Sequence, residues 1–69
     1  MSRFGVDTSA TTAVWVCWCG ARGVAWDRLG GLRGLRAHEK HAHPGDRRAL
    51  KLLDQYEQRL AARRAAASK

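Results

Sequence analysis

Cys17 and Cys19 are the only cysteines of the chain, one residue apart in "VWVCWCGARGVAW", residues 14–26. The three histidines, His38, His41 and His43, fall together in "AHEKHAHPG", residues 37–45. Thiolates and neutral imidazoles are the donors of tetrahedral zinc sites. Catalytic spacing is missing around them. There is no HExxH pair and no serine or cysteine beside an evident base, and Glu39 is a lone carboxylate that reads as a solvated helix residue. An enzyme is not expected.

A disulfide between Cys17 and Cys19 would close a very small ring and constrain little of the unfolded chain. The opening "MSRFGVDTSATT" has no apolar signal core. The longest apolar run, Ala13 to Cys19, is far shorter than the ~20 residues of a spanning helix. The expected location is therefore the cytoplasm, with no membrane partner, where thiols stay reduced and metal ligation is favoured over a disulfide. The arginine-over-lysine, alanine-rich composition points to a bacterial or phage-infected host cell.

Elements must bring these donors together. Residues 1–10 are small and polar and read as a flexible arm. "TTAVWVCW", residues 11–18, is rich in β-branched and aromatic residues, "GARG" is a turn signal, and "VAW" is a return strand. Residues 13–26 thus read as a β-hairpin. Alternation puts Ala13, Trp15, Cys17 and Cys19 on one face and Val14, Val16 and Trp18 on the other, with Trp18 the tryptophan expected to be most exposed.

A helix follows, with Asp27 as its N-cap. Leu29, Leu32, Leu35 and His38 recur every three residues, and Pro44 with Gly45 ends the element. Gly30, Gly31 and Gly34 weaken it by roughly 1 kcal/mol each relative to alanine. Such a helix needs packing or a staple, as does any chain below about 70–80 residues.

The segment Val16 to His43 resembles a two-Cys two-His zinc finger of the ββα kind. The resemblance rests on Cys17-x-Cys19-Gly20 on the hairpin and Leu35-x-x-His38-x-x-x-x-His43 on the helix. Two features depart from the family. The cysteines are separated by one residue, where fingers have two to four. The interval from Cys19 to His38 holds eighteen residues, Gly20 to Ala37, where fingers have about twelve. The resemblance implies one structural Zn2+ held by Cys17, Cys19, His38 and His43, with His41 as a substitute ligand. The expected fold is a small zinc-stabilised α+β domain: a ββα module over residues 11–45, then a long basic amphipathic helix over residues 46–69, packed on the module or extending from it.

The charge suggests partners. Thirteen Lys and Arg against six Asp and Glu give a net +7, which favours an anionic partner. In the finger family the exposed helix face enters the DNA major groove. Here Arg33, Arg36 and Lys40 share one helix face, and Arg22 and Arg28 are placed to add phosphate contacts. In the last helix Arg47 and Arg48 lie mainly opposite the apolar stripe of Ala49, Leu53, Tyr56 and Leu60. The expectation is a small DNA-binding regulator, with DNA preferred over RNA. The alternative is a zinc-stapled protein-interaction module that docks on a protein, or on a second copy of itself, through Trp18 or the C-terminal helix.

Overall fold

The computed structural model describes residues 4–67 of the chain. Five elements follow one another: β1 (Gly5–Thr8), β2 (Ala13–Val16), β3 (Arg22–Ala25), α1 (Arg28–Ala42) and α2 (Arg48–Ala67). The strands form one antiparallel sheet in the order β1-β2-β3, so the expected hairpin is present and carries an additional strand. Residues 1–10, expected to be a loose arm, instead contribute β1; the first three lie outside the described residues. Ser9 and Thr12 tie the β1–β2 turn through Ser9 N to Thr12 O, 2.8 Å, and Thr12 N to Ser9 Oγ, 3.3 Å.

The register sorts the sheet into two faces. Val6, Trp15 and Gly23 are directly opposite one another, as are Thr8, Ala13 and Ala25. These positions face α1. Asp7, Val14 and Val24, with Gly5, Val16 and Arg22, form the outer face. Ala13 and Cys17 are buried, as alternation from Trp15 requires.

α1 opens on Asp27, whose Oδ1 accepts from Gly30 N at 2.8 Å. Its buried side is Gly31, Leu32 and Leu35. Two of its glycines are explained by the approach to the sheet. A Cβ on Gly34 would lie 2.6 Å from Trp15 Nε1, and one on Gly31 would lie 2.8 Å from Val6 Cγ1. The lost helix propensity is thus exchanged for close contact between helix and sheet. The helix closes at His43, whose N–H donates to Glu39 O at 2.8 Å. Pro44 prevents its continuation.

α2 runs back along α1. Ala49 meets Glu39 near the start of α2, while Leu60, Ala61 and Arg64 line a groove with Leu29 and Arg33 near the start of α1. On the other flank Leu52 and Tyr56 share a groove with Leu32, Phe4 and Val6. The apolar stripe of α2 therefore covers α1 rather than standing free. Ser68 and Lys69, counted in the expected helix, lie outside the described residues. Among the described residues no helix is long and apolar enough to cross a membrane.

Glu39 corrects the sequence reading. It is 1 % exposed, not solvated. Its Oε2 accepts from Ala49 N at 2.8 Å and its Oε1 accepts from Leu50 N at 3.3 Å, while Arg36 Nη1 donates to Oε1 at 3.0 Å. A carboxylate from α1 thus caps the first turn of α2, where backbone N–H groups lack intrahelical partners. Glu39→Ala leaves those donors and the Arg36 guanidinium without an acceptor. We expect it to lower the unfolding free energy by about 3 kcal/mol, with Glu39→Gln intermediate, in denaturant titrations.

Candidate metal centre

Cys17 directly follows the last residue of β2, and Cys19 lies in the turn that comes next. Gly20 N donates to Cys17 O at 3.0 Å, and Cys17 N donates to Ala21 O at 2.8 Å. Gly20 adopts φ 99°, a conformation that L side chains rarely take. This turn folds the sulfurs toward one another without a second strand segment. The Cys17 sulfur faces the N–H groups of Cys19 and Trp18, and the Cys19 sulfur faces the N–H of Ala21.

The other two donors come from the end of α1. One ligand atom each from Cys17, Cys19, His38 and His43 lie within 4.8 Å of one another. Cys19 Sγ and His38 Nε2 are 3.3 Å apart. With metal–sulfur bonds of about 2.3 Å and metal–nitrogen bonds of about 2.0 Å, a tetrahedron separates sulfur from nitrogen by about 3.5 Å. The Cys19–His38 pair has that separation, and the four donors together lie within 4.8 Å, a set that closes onto one ion with small side-chain shifts. His43 Nε2 is buried with no hydrogen-bond partner, a state that a bound cation would relieve. Donor chemistry, separation and the orphaned nitrogen all fit a single metal ion, and the set is compatible with zinc. His41 is exposed and outside the cluster, because Pro44 turns the chain at His43 and swings that ring inward instead.

The electrostatics of the two thiols differ. The Ala21 N–H, with the imidazoles of His43 and His38 beside it, brings Cys19 down from 9 to about 6. Burial pushes Cys17 up, against the N–H of Cys19. Both cysteines are free of disulfides.

Aromatic rings enclose the site. Trp15 stacks on His38 with centroids 5.4 Å apart, and Trp18 lies 4.5 Å from His43. Trp18 Nε1 donates to Asp46 Oδ2 at 3.2 Å. Asp46 also accepts from Arg48 Nη2 at 2.8 Å, and Arg48 and Trp18 together hold its carboxyl well below the usual carboxylate range. Asp46 accepts from Arg48 N as well, at 3.1 Å, so it assists the start of α2. Composition and spacing gave no sign that the tryptophans or Asp46 would surround the imidazoles. The alternation of Trp15 with Cys17 was the available signal for one of them. Trp18, expected to be the most exposed tryptophan, is 39 % exposed, whereas Trp26 is 89 % exposed.

The basic residues divide. Arg22, Arg28, Arg33, Lys40 and Arg47 are exposed. Arg36 instead pairs with Glu39 and is only 26 % exposed in its side chain. Arg48 is exposed but engaged, with its guanidinium on Asp46 and over the rings of Phe4 and Trp18. The α1 face that holds Arg36 is the one packed by α2, so Arg33, Arg36 and Lys40 do not form one open stripe. Comparison with protein-family models, with curated proteins and with solved structures gives no match.

A metal held by this cluster predicts that Cys17→Ser or His43→Ala weakens its retention by about 100-fold or more and that His41→Ala leaves it intact; native mass spectrometry of the three variants in the presence of zinc reads the difference. The pH response has a fixed sign. The folded-state value of Cys19 lies below its ordinary value, so its thiolate contributes fully above pH 9 and that contribution is lost as pH falls through about 6. Metal affinity, followed with a chromophoric zinc indicator, should therefore fall as pH drops, because Cys17 with its raised value must release a proton on binding, and fall more steeply below about 6, where Cys19 must release one too.

Proposed function

We propose that Cys17, Cys19, His38 and His43 hold one structural zinc ion, and that the domain so closed is a nucleic-acid-binding protein, with DNA preferred over RNA. The zinc part rests on the two-sulfur, two-nitrogen cluster and on the β2–β3–α1 succession, which has the finger arrangement of ligands on a hairpin turn and at a helix end. Four protein donors leave the ion no open position, so its role is structural and no reaction is assigned to it. Its binding energy adds to folding energy, which a 69-residue chain needs.

The observation that carries the binding part is charge placement. On a chain of net +7, Arg22, Arg28, Arg33, Lys40 and Arg47 stay at the surface, although two other arginines are engaged by carboxylates. Exposed cations of this number attract a polyanion and release its counterions. A cytoplasmic regulator of bacterial or phage origin is consistent with this reading. A protein-docking module built on Trp18 or the α2 stripe is less favoured, because Trp18 is tethered to Asp46 and the stripe packs on α1.

Binding of fluorescent DNA by the zinc-loaded chain should weaken linearly on a log–log plot against salt. A slope of about −3 to −5 corresponds to a similar number of phosphates neutralised. No binding at about 50 mM salt, where electrostatic affinity is high, would reject the nucleic-acid reading.

A further inference from the structure

The helices pack on one side of the sheet only. α1 lies against the face of Val6, Ala13 and Trp15, and α2 lies against α1. On the opposite face, the outward positions of the edge strand β3 are Arg22 and Val24. Trp26 continues that alternation just past the end of the strand. Val24 is 73 % exposed and Trp26 is 89 % exposed, and both border a shallow hollow with Thr12 and Ala25. Among the described residues, nothing covers them. The other two tryptophans pack against imidazoles, so this fully solvated indole stands apart. An exposed indole beside an exposed Val24 and an arginine on the same face has the composition of a contact surface, in which Trp and Arg are the enriched anchors.

Building on the nucleic-acid reading above, we propose that this face is a platform for single-stranded nucleic acid: Trp26 stacks on an unpaired base, Val24 supports the ring, and Arg22 holds a phosphate. Three observations select this occupant. The surface belongs to a chain of net +7, and Arg22 stands on the platform itself. Asp7, the acidic residue of the outer face, is on β1, the far strand of the sheet. The helical route into a major groove is obstructed, because α2 packs on the α1 face that holds Arg36. Finally, the ring is open on a sheet rather than recessed in a pocket, which suits a base of any identity. Arg22 and Trp26 are four residues apart along an extended strand, about 13 Å, so stacking and phosphate contact fall on different nucleotides of one strand. A duplex keeps its bases stacked on one another and offers Trp26 no free face. A second copy of the chain would bring like charges together.

The test compares a short mixed-sequence single strand with its duplex by fluorescence anisotropy, using the zinc-loaded full chain and the variants Trp26→Ala, Trp26→Phe and Arg22→Ala. Metal content and melting temperature of each variant confirm that the fold is kept, as expected for exposed positions. The proposal requires tighter binding of the single strand than of the duplex. Trp26→Ala should weaken single-strand binding by about 5- to 100-fold and leave the duplex unchanged, and Trp26→Phe should retain most of the affinity. Arg22→Ala should reduce the single-strand salt slope by about 0.7. If nucleic acid binds but Trp26→Ala changes nothing, the platform is refuted and the nucleic-acid reading survives. If neither form binds at low salt, both are refuted. Concentration-dependent dimerisation that Trp26→Ala abolishes would assign the face to self-association and also overturn the proposal.

Discussion

The carboxylate of Glu39 holds the two halves of the molecule in one arrangement. A buried charge is destabilising unless its lone pairs are satisfied. Here two backbone N–H groups of α2 and the guanidinium of Arg36 satisfy them. The same turn of α1 carries His38 and ends at His43, whose N–H bonds to the Glu39 carbonyl. One helical turn therefore faces the hairpin with imidazoles and α2 with a carboxylate. The helix–helix packing and the Cys/His cluster share a single segment of backbone, and neither geometry survives if that turn unwinds.

Much of this was legible in the sequence, because the relevant signals are local. The β2–β3 hairpin follows from alternation and a glycine turn, and the start of α1 follows from Asp27. The grouping of His43, rather than His41, with the cysteines and His38 follows from Pro44, which takes His43 out of the helix and leaves His41 on its exposed side. What escaped the sequence is long-range. β1 has only "GVDT" and no alternating apolar signal, and it forms because Val6 fits over Gly31 beside an existing strand. Glu39 reads as an ordinary charged helix residue until α2 folds back ten positions later and presents its N–H groups. The same event removes Arg36 from the basic face. Trp26 follows the strand alternation of Val24, but which side of the sheet the helices would cover depends on the tertiary fold.

The crowding of tryptophans around the cysteines also has a physical account. Trp15 lies against two glycines, Gly23 and Gly34, whose missing side chains make room for its ring. From there it stacks on His38. Trp18 faces His43 from the other side, and Asp46 holds its indole N–H. Large apolar rings beside imidazoles lower the local dielectric and restrict ring rotation. Among the described residues the buried set is small, with Ala13, Cys17, Leu32, Leu35 and Ala49 as its apolar members, and these rings supply the packing around the cluster that a larger protein would supply with a full core.

The two sulfurs, one residue apart, are unequal toward oxidants. Cys17 is 1 % exposed and its thiol is pushed up by burial. Cys19 is exposed, and its neighbours favour the thiolate. An electrophile or peroxide arriving from solvent meets Cys19 first, where nucleophilic form and access coincide. Sulfenic acid formed there would find Cys17 as the adjacent thiol. The resulting bridge would span a single intervening residue, a ring too small for relaxed disulfide geometry, and would be readily reduced. The turn that gathers the donors thus also sets the order in which they are damaged.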